Sequence, residues 1–249
     1  MVKRDELISY MNDLLNIAEF HNDDSINGLQ VEGKAEIERI VLGVSVSERL
    51  FKAAVEREAD LILVHHGLFW RNAPTPYLLT GLFHRRVSLL IKHDINLAAY
   101  HLPLDAHPEL GNNAQLLKRL SIEPIKPIEV GYLGRLRNPM SLERWVKIIN
   151  KELQTTAQVF AFGPAEVRRV LVISGSSSRF YQLALDNDAD TFIGGDMREN
   201  VVREIEEVGL NFIHAGHYNT EKFGIQALGE KIKHEFGIEC DFIDIPNPV

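Results

Sequence analysis

Short apolar runs alternate with amphipathic helical stretches along almost all of this 249-residue chain, and that rhythm restricts the fold more than any other feature. Runs at residues 40–44, 61–64, 95–100, 170–173, 191–193 and 210–214 are nearly free of charge, as strands covered on both faces must be. Helical patterns separate them at residues 48–57, 82–92, 113–120, 178–186 and 201–208. Further helices are expected at 5–20, at 142–153 with Ser141 as N-cap, and at 220–236. Such alternation predicts an α/β fold whose sheets are mostly covered by helices. Prolines punctuate residues 124–131, which places the seam between a first lobe, 1–125, and a second, 126–249.

The chain also repeats itself. A displacement of 130 positions sets Ser47, Arg49, Ala54, Ala59 and Asp60 on Ser177, Arg179, Ala184, Ala189 and Asp190. A second echo sets Ile95-Asn96-Leu97 on Leu210-Asn211-Phe212 and continues from His101 and Asp105 to His217 and Glu221. The expectation is an internal duplication: two related, intertwined α/β lobes with mixed sheets and equivalent strand ends facing a common cleft.

Composition narrows the function. Lys and Arg total 27 against 35 acids, a formal charge of -8, which is the wrong sign for a protein that binds nucleic acid through its overall charge. Arg85-Arg86, Arg168-Arg169, Arg135 and Arg137 are the residues from which a local basic surface would be built. Cys240 is the sole cysteine, so an internal disulfide and a multi-thiolate zinc site are excluded. No apolar run approaches the ~20 residues of a membrane span, and the expectation is a cytoplasmic protein without a membrane partner.

Three segments just past predicted strand ends concentrate metal-ligand residues, where open α/β sheets bind ligands. In Leu63-Val64-His65-His66-Gly67 the two imidazoles serve one metal if the chain leaves the strand at Gly67, and two if it stays extended. In His101-Leu102-Pro103-Leu104-Asp105, Pro103 disfavours helix, so a turn is expected to return Asp105 to the strand end. His101 is then a weaker ligand or a partner that orients the carboxylate. In His217-Tyr218-Asn219-Thr220-Glu221 the first and last residues share a helix face. His65, His66, Asp105, His217 and Glu221 exceed the needs of one tetrahedral ion and suit two divalent cations. Nitrogen and oxygen donors without thiolate admit Zn, Fe, Mn, Co or Ni. Two dications exceed two carboxylates in charge, which favours hydroxide and an anionic substrate. Gly194-Gly195-Asp196 falls on Val64-His65-His66 in the repeat and reads as a copy without the ligands.

The segments Asn27-Gly28-Leu29-Gln30-Val31, His65-His66-Gly67-Leu68-Phe69-Trp70, His101-Leu102-Pro103-Leu104-Asp105-Ala106-His107 and Gly216-His217-Tyr218-Asn219-Thr220-Glu221 resemble the NIF-three-like dinuclear-metal-centre family, the GTP cyclohydrolase 1 type 2 homologues. The resemblance extends to the closing Ile243-Asp244-Ile245-Pro246-Asn247-Pro248. It implies two related α/β lobes, a ring- or cage-like homohexamer, and the same five metal ligands with Glu221 bridging. The function it supports is a dinuclear metal-dependent hydrolase acting on a nucleotide-like anion, with His101 or Tyr100 relaying protons. The alternative is a non-enzymatic metal-containing assembly that binds nucleic acid or a protein partner.

Overall fold

The computed structural model describes residues 1–73 and 77–249. The chain begins with β1 (Val2–Lys3), α1 (Arg4–Leu14), β2 (Gly28–Val31), β3 (Glu36–Ile37), β4 (Arg39–Ser45), α2 (Glu48–Glu56), β5 (Leu61–His66), α3 (Gly81–Lys92) and β6 (Asn96–Ala99). It continues with α4 (Leu102–Ala106), α5 (Asn112–Arg119), β7 (Ile122–Ile128), β8 (Gly131–Ser141), α6 (Leu142–Leu153), β9 (Gln158–Phe160) and β10 (Glu166–Val172). Last come α7 (Tyr181–Leu185), β11 (Thr191–Gly194), α8 (Glu199–Val208), β12 (Asn211–His214), α9 (His217–Phe236) and β13 (Glu239–Phe242). Among the described residues no helix is long and apolar enough to cross a membrane.

Two compact units result, Met1–Leu104 with Ile225–Ile245 and Asp105–Gly224 with Pro246–Val249. The partition falls within α4 and α9 rather than near residue 125. Pro124 and Pro127 lie in β7, at the edge of the second unit's sheet and paired antiparallel with β8. An edge strand needs ladder donors on one side only, so prolines punctuate β7 without ending a lobe.

The first sheet runs β13-β4-β5-β6-β2, parallel throughout except for β2. The second runs β7-β8-β10-β11-β12-β9 and is parallel only across β10, β11 and β12. Period-two alternation carries the packing. Val170 and Val172 of β10 join Trp145, Ile149 and Leu153 of α6 in one core. Leu171 between them joins Ala184 of α7 and Val201 and Ile205 of α8 in another. In the first unit Val41, Ile62, Val64 and Leu97 pack with Leu50, Phe51, Ala54, Val87 and Leu90 from α2 and α3. Ser141 caps α6 as expected, its hydroxyl accepting from Arg144 N at 3.4 Å.

The repeat is written into the hydrogen bonds. Asp60 Oδ2 accepts from the backbone N–H groups of Glu38 and Arg39 at 2.9 and 3.1 Å. Asp190 Oδ2 accepts from Arg168 and Arg169 at 2.9 and 2.8 Å. Asn96 accepts from Gly33 N and donates to Lys34 O, and Asn211 accepts from Gly163 N and donates to Pro164 O, all four at 2.8 Å. Strand registers correspond too: Ile40 faces Leu61 and Leu61 faces Asn96, as Val170 faces Thr191 and Thr191 faces Asn211. A chance likeness between two strand-helix-strand units would not reproduce these side-chain locks. One difference is local: Lys34 Nζ pairs with Asp60 Oδ1 at 2.6 Å, whereas Asp190 Oδ1 accepts from Thr191 Oγ1 at 2.8 Å.

Burial alone would raise the Asp60 carboxyl, but the Lys34 ammonium and the two backbone donors outweigh it and hold its pKa below the usual carboxylate value. Its contribution is therefore complete above the unfolded-state pKa of about 3.9 and is lost as pH falls through the lower folded-state value. Asp60→Asn is expected to cost about 1–3 kcal/mol of unfolding free energy at neutral pH. In urea titrations the gap to the parent protein should close on acidification below about pH 4; a gap independent of pH would refute the role given to the ionised carboxylate.

Candidate metal centre

The buried strand β5 delivers His65 and His66 to its C-terminal end. Pairing stops at His66, and the chain turns away at Gly67, where any Cβ would run into the Gln30 amide. The adjacent rings therefore come together, with centroids 4.5 Å apart. His101, just past β6, completes a cluster in which each imidazole offers a nitrogen within 4.8 Å of the others.

Neighbouring groups fix how these rings present themselves. His65 is fully buried, and its Nδ1 lies 2.9 Å from the Tyr100 carbonyl oxygen. A carbonyl can only accept, so Nδ1 carries the proton and Nε2 the lone pair that a cation needs. His101 Nδ1 lies 2.8 Å from Asp23 Oδ1. Burial would push the Asp23 carboxyl up, but hydrogen bonds from His101, Asn27 and Ser25 hold it at about 2. The ionised Asp23 thus imposes the same orientation on His101. His66 Nδ1 meets the Ser45 hydroxyl at 2.9 Å, a partner able to donate or accept.

Asp23 escaped the sequence reading because Asp, Asn and Ser in residues 22–27 have the composition of a turn. Its second oxygen accepts from Asn27 Nδ2 at 2.8 Å and Leu102 N at 3.0 Å, tying that loop to the segment carrying His101. Trp70 stands edge-on to His101, with centroids 5.1 Å apart. Tyr100 corrects an expectation. Its phenol is buried, donates to Asn12 Oδ1 at 2.8 Å, and has its pKa raised by burial. Tyr100 serves His65 through its carbonyl, and its hydroxyl is unsuited to relay protons.

The segment after His101 is also corrected. Residues 102–106 form the short helix α4 rather than a turn. Pro103 sits in its first turn, where a helix needs no N–H from it. In the second unit Asp105 is 3% exposed, and its Oδ1 accepts from Asn112 Nδ2 at 2.8 Å and Ser174 Oγ at 3.1 Å. Asn112 Oδ1 accepts from Gly224 N and Asn113 Oδ1 from Ser174 N, each at 2.8 Å, so the amides around Asp105 are themselves held.

α9 begins at His217, which brings Glu221 one turn later onto the same face. His217 Nε2 and Glu221 Oε2 are 2.9 Å apart, and Glu221 is buried. Thr220 anchors the turn beside them, accepting from Gly175 N at 3.1 Å while its hydroxyl faces the Gly216 and His217 carbonyls. Gly175 has φ +62°, and a Cβ there would collide with Glu221 Oε1 and come within 3.3 Å of His217 Nε2. Glycine at this place supplies the volume the carboxylate occupies.

Five of the six arginines suited to a basic surface, all but Arg86, are engaged locally. Arg135 and Arg137 both meet Glu123, Arg85 meets Glu48, Arg168 meets Glu166, and Arg169 donates to the Asn187 carbonyl. Cys240 lies half-buried in β13, and burial pushes its thiol up to about 12, far from a reactive thiolate.

Imidazoles of set orientation and buried carboxylates at strand ends, carried by a duplicated scaffold of mixed sheets, define a two-unit α/β protein with groups able to hold metal ions. The chain belongs to the DUF34/NIF3 (NGG1p interacting factor 3) family, whose model matches residues 2–248. It is 44% identical over 246 residues to the GTP cyclohydrolase 1 type 2 homolog of Yersinia pestis, covering 98% of each chain. With the Haemophilus influenzae protein of the same name it shares 43% identity over 233 residues, covering 91% of this chain and 92% of the other. The crystal structure of a Thermus thermophilus protein superposes over 100% of both chains with a TM-score of 0.92 and 38% identity.

Gly175→Ala should fold with a loss of about 1–3 kcal/mol from the left-handed backbone, while displacing Glu221. Calorimetric titration with Zn or Mn is expected to show affinity at least about tenfold weaker than the parent's. Undiminished binding would mean that Gly175 does not make room for a ligand.

Proposed function

We propose that the chain is a dinuclear metal-dependent hydrolase acting on a nucleotide-like anion, with His65, His66, Asp105, His217 and Glu221 holding two divalent cations. The observation that carries this reading is the pairing of His65 Nδ1 with the Tyr100 carbonyl, which leaves Nε2 as the basic nitrogen of a buried ring. Metal-binding histidines regularly donate their other nitrogen to a carbonyl or carboxylate, and here three imidazoles so placed offer nitrogens within 4.8 Å of one another. The names of the relatives support the nucleotide class, since both are called GTP cyclohydrolase 1 type 2 homologs. Two bound cations would supply Lewis acidity and water ionised at a pKa of roughly 7.

The protein's own groups account for the remaining steps. Asp105 and Glu221 bring two negative charges against four positive ones, so an anionic substrate is favoured over a neutral one. His101, oriented by Asp23, presents Nε2 for proton transfer. Trp70, edge-on to His101, shields one side of that ring. The ring-like homohexamer belongs to the same reading, supported by the exposed apolar side chains Leu78, Leu79 and Leu82. Ion pairs at Arg85, Arg135, Arg137 and Arg168 favour this reading over the nucleic-acid alternative.

Metal analysis of protein purified without chelators should find two divalent ions per chain, falling in His65→Ala and Glu221→Ala. Metal-loaded protein should turn over GTP or a phosphoester, and both variants should abolish that turnover. Full activity in the variants would remove these residues from the reaction.

A further inference from the structure

The repeat places Asp196 where the first unit has His66; Asp196 stands two residues beyond the end of β11, and His66 is the last residue of β5. The backbone of this loop lies against His217 and Gly175. Gly195 N donates to Gly175 O at 2.8 Å, and a Cβ on Gly195 would approach His217 Cα to 2.8 Å. Gly175 in turn is the residue whose missing side chain accommodates Glu221. Asp196 therefore follows directly on a loop packed against His217 and against the glycine that makes room for Glu221.

One oxygen of its carboxylate has no partner among the described residues. Oδ1 is shielded from water and accepts no hydrogen bond. It does not cap α8, whose N-cap position is Arg198, with its N–H going to Ser178 Oγ at 3.2 Å. Nor does it join the described groups of metal-ligating atoms. A shielded carboxylate oxygen is costly unless something donates to it, and a donor on a bound molecule would remove that cost.

We propose that Asp196 contacts the substrate, accepting a hydrogen bond from an N–H or O–H group beside the atom that meets the cations. This rests on the dinuclear reading and refines it: the preferred ligand is an anion that also presents a donor. A site built around such an acceptor rejects the analogue that lacks the donor.

Acetohydroxamate and N-methylacetohydroxamate test this, since both chelate cations through two oxygens but only the first has an N–H. The ion content of the parent, Asp196→Ala and Asp196→Asn is measured first and should be equal. The loaded parent should bind acetohydroxamate at least about tenfold more tightly than its N-methyl analogue. That preference should vanish in Asp196→Ala and be intermediate in Asp196→Asn, which keeps a neutral acceptor. A preference absent from the parent or retained in Asp196→Ala would overturn the proposal. So would ion loss in the Asp196 variants, which would make this residue a ligand. A parent that takes up no ions would instead defeat the dinuclear reading beneath it.

Discussion

Register is the constraint on which the rest depends, and two equivalent carboxylates set it. Asp60 precedes β5 and holds the N–H groups at the start of β4, and Asp190 precedes β11 and holds two N–H groups within β10. Asn96 and Asn211 extend each lock to the third strand. Side chains alternate along a strand, so a slip of one residue would exchange its two faces. A lock at the start of β5 thus decides which residues reach its far end, where His65 and His66 stand.

From one scaffold the two units derive different equipment. The first places imidazoles on the strand end and fixes them through backbone and side-chain partners. The second has glycine at 175 and 195, and its donors come from the first turn of α9 and from Asp105 of α4. The same physics underlies both: buried polar groups persist where each is given a partner, and a large carboxylate persists where the backbone gives it room. What reads in the sequence as a degenerate copy at Gly194-Gly195-Asp196 is a loop whose small residues allow close packing against His217.

The departures from expectation share a cause. Proline was read as a breaker at 103 and as a seam at 124–131, but its effect depends on whether the missing N–H is needed. It is not needed in the first turn of α4 or on the outer side of β7. A carboxylate such as Asp23 in a polar loop looks solvated until its partners His101 and Leu102, 78 and 79 residues away, are seen.

Local sequence by itself determined the alternation of strands and helices, the duplication, and the residue types able to bind cations, because periodicity, capping and repeat spacing are short-range properties. It also confined those residues to strand ends. Tertiary structure alone decided which ring nitrogen carries a proton, that Asp23 governs His101, that Tyr100 acts through its carbonyl, and that Gly175 makes room for Glu221. Each of these depends on groups far apart in the chain meeting within a few ångströms, and no spacing rule encodes such a meeting.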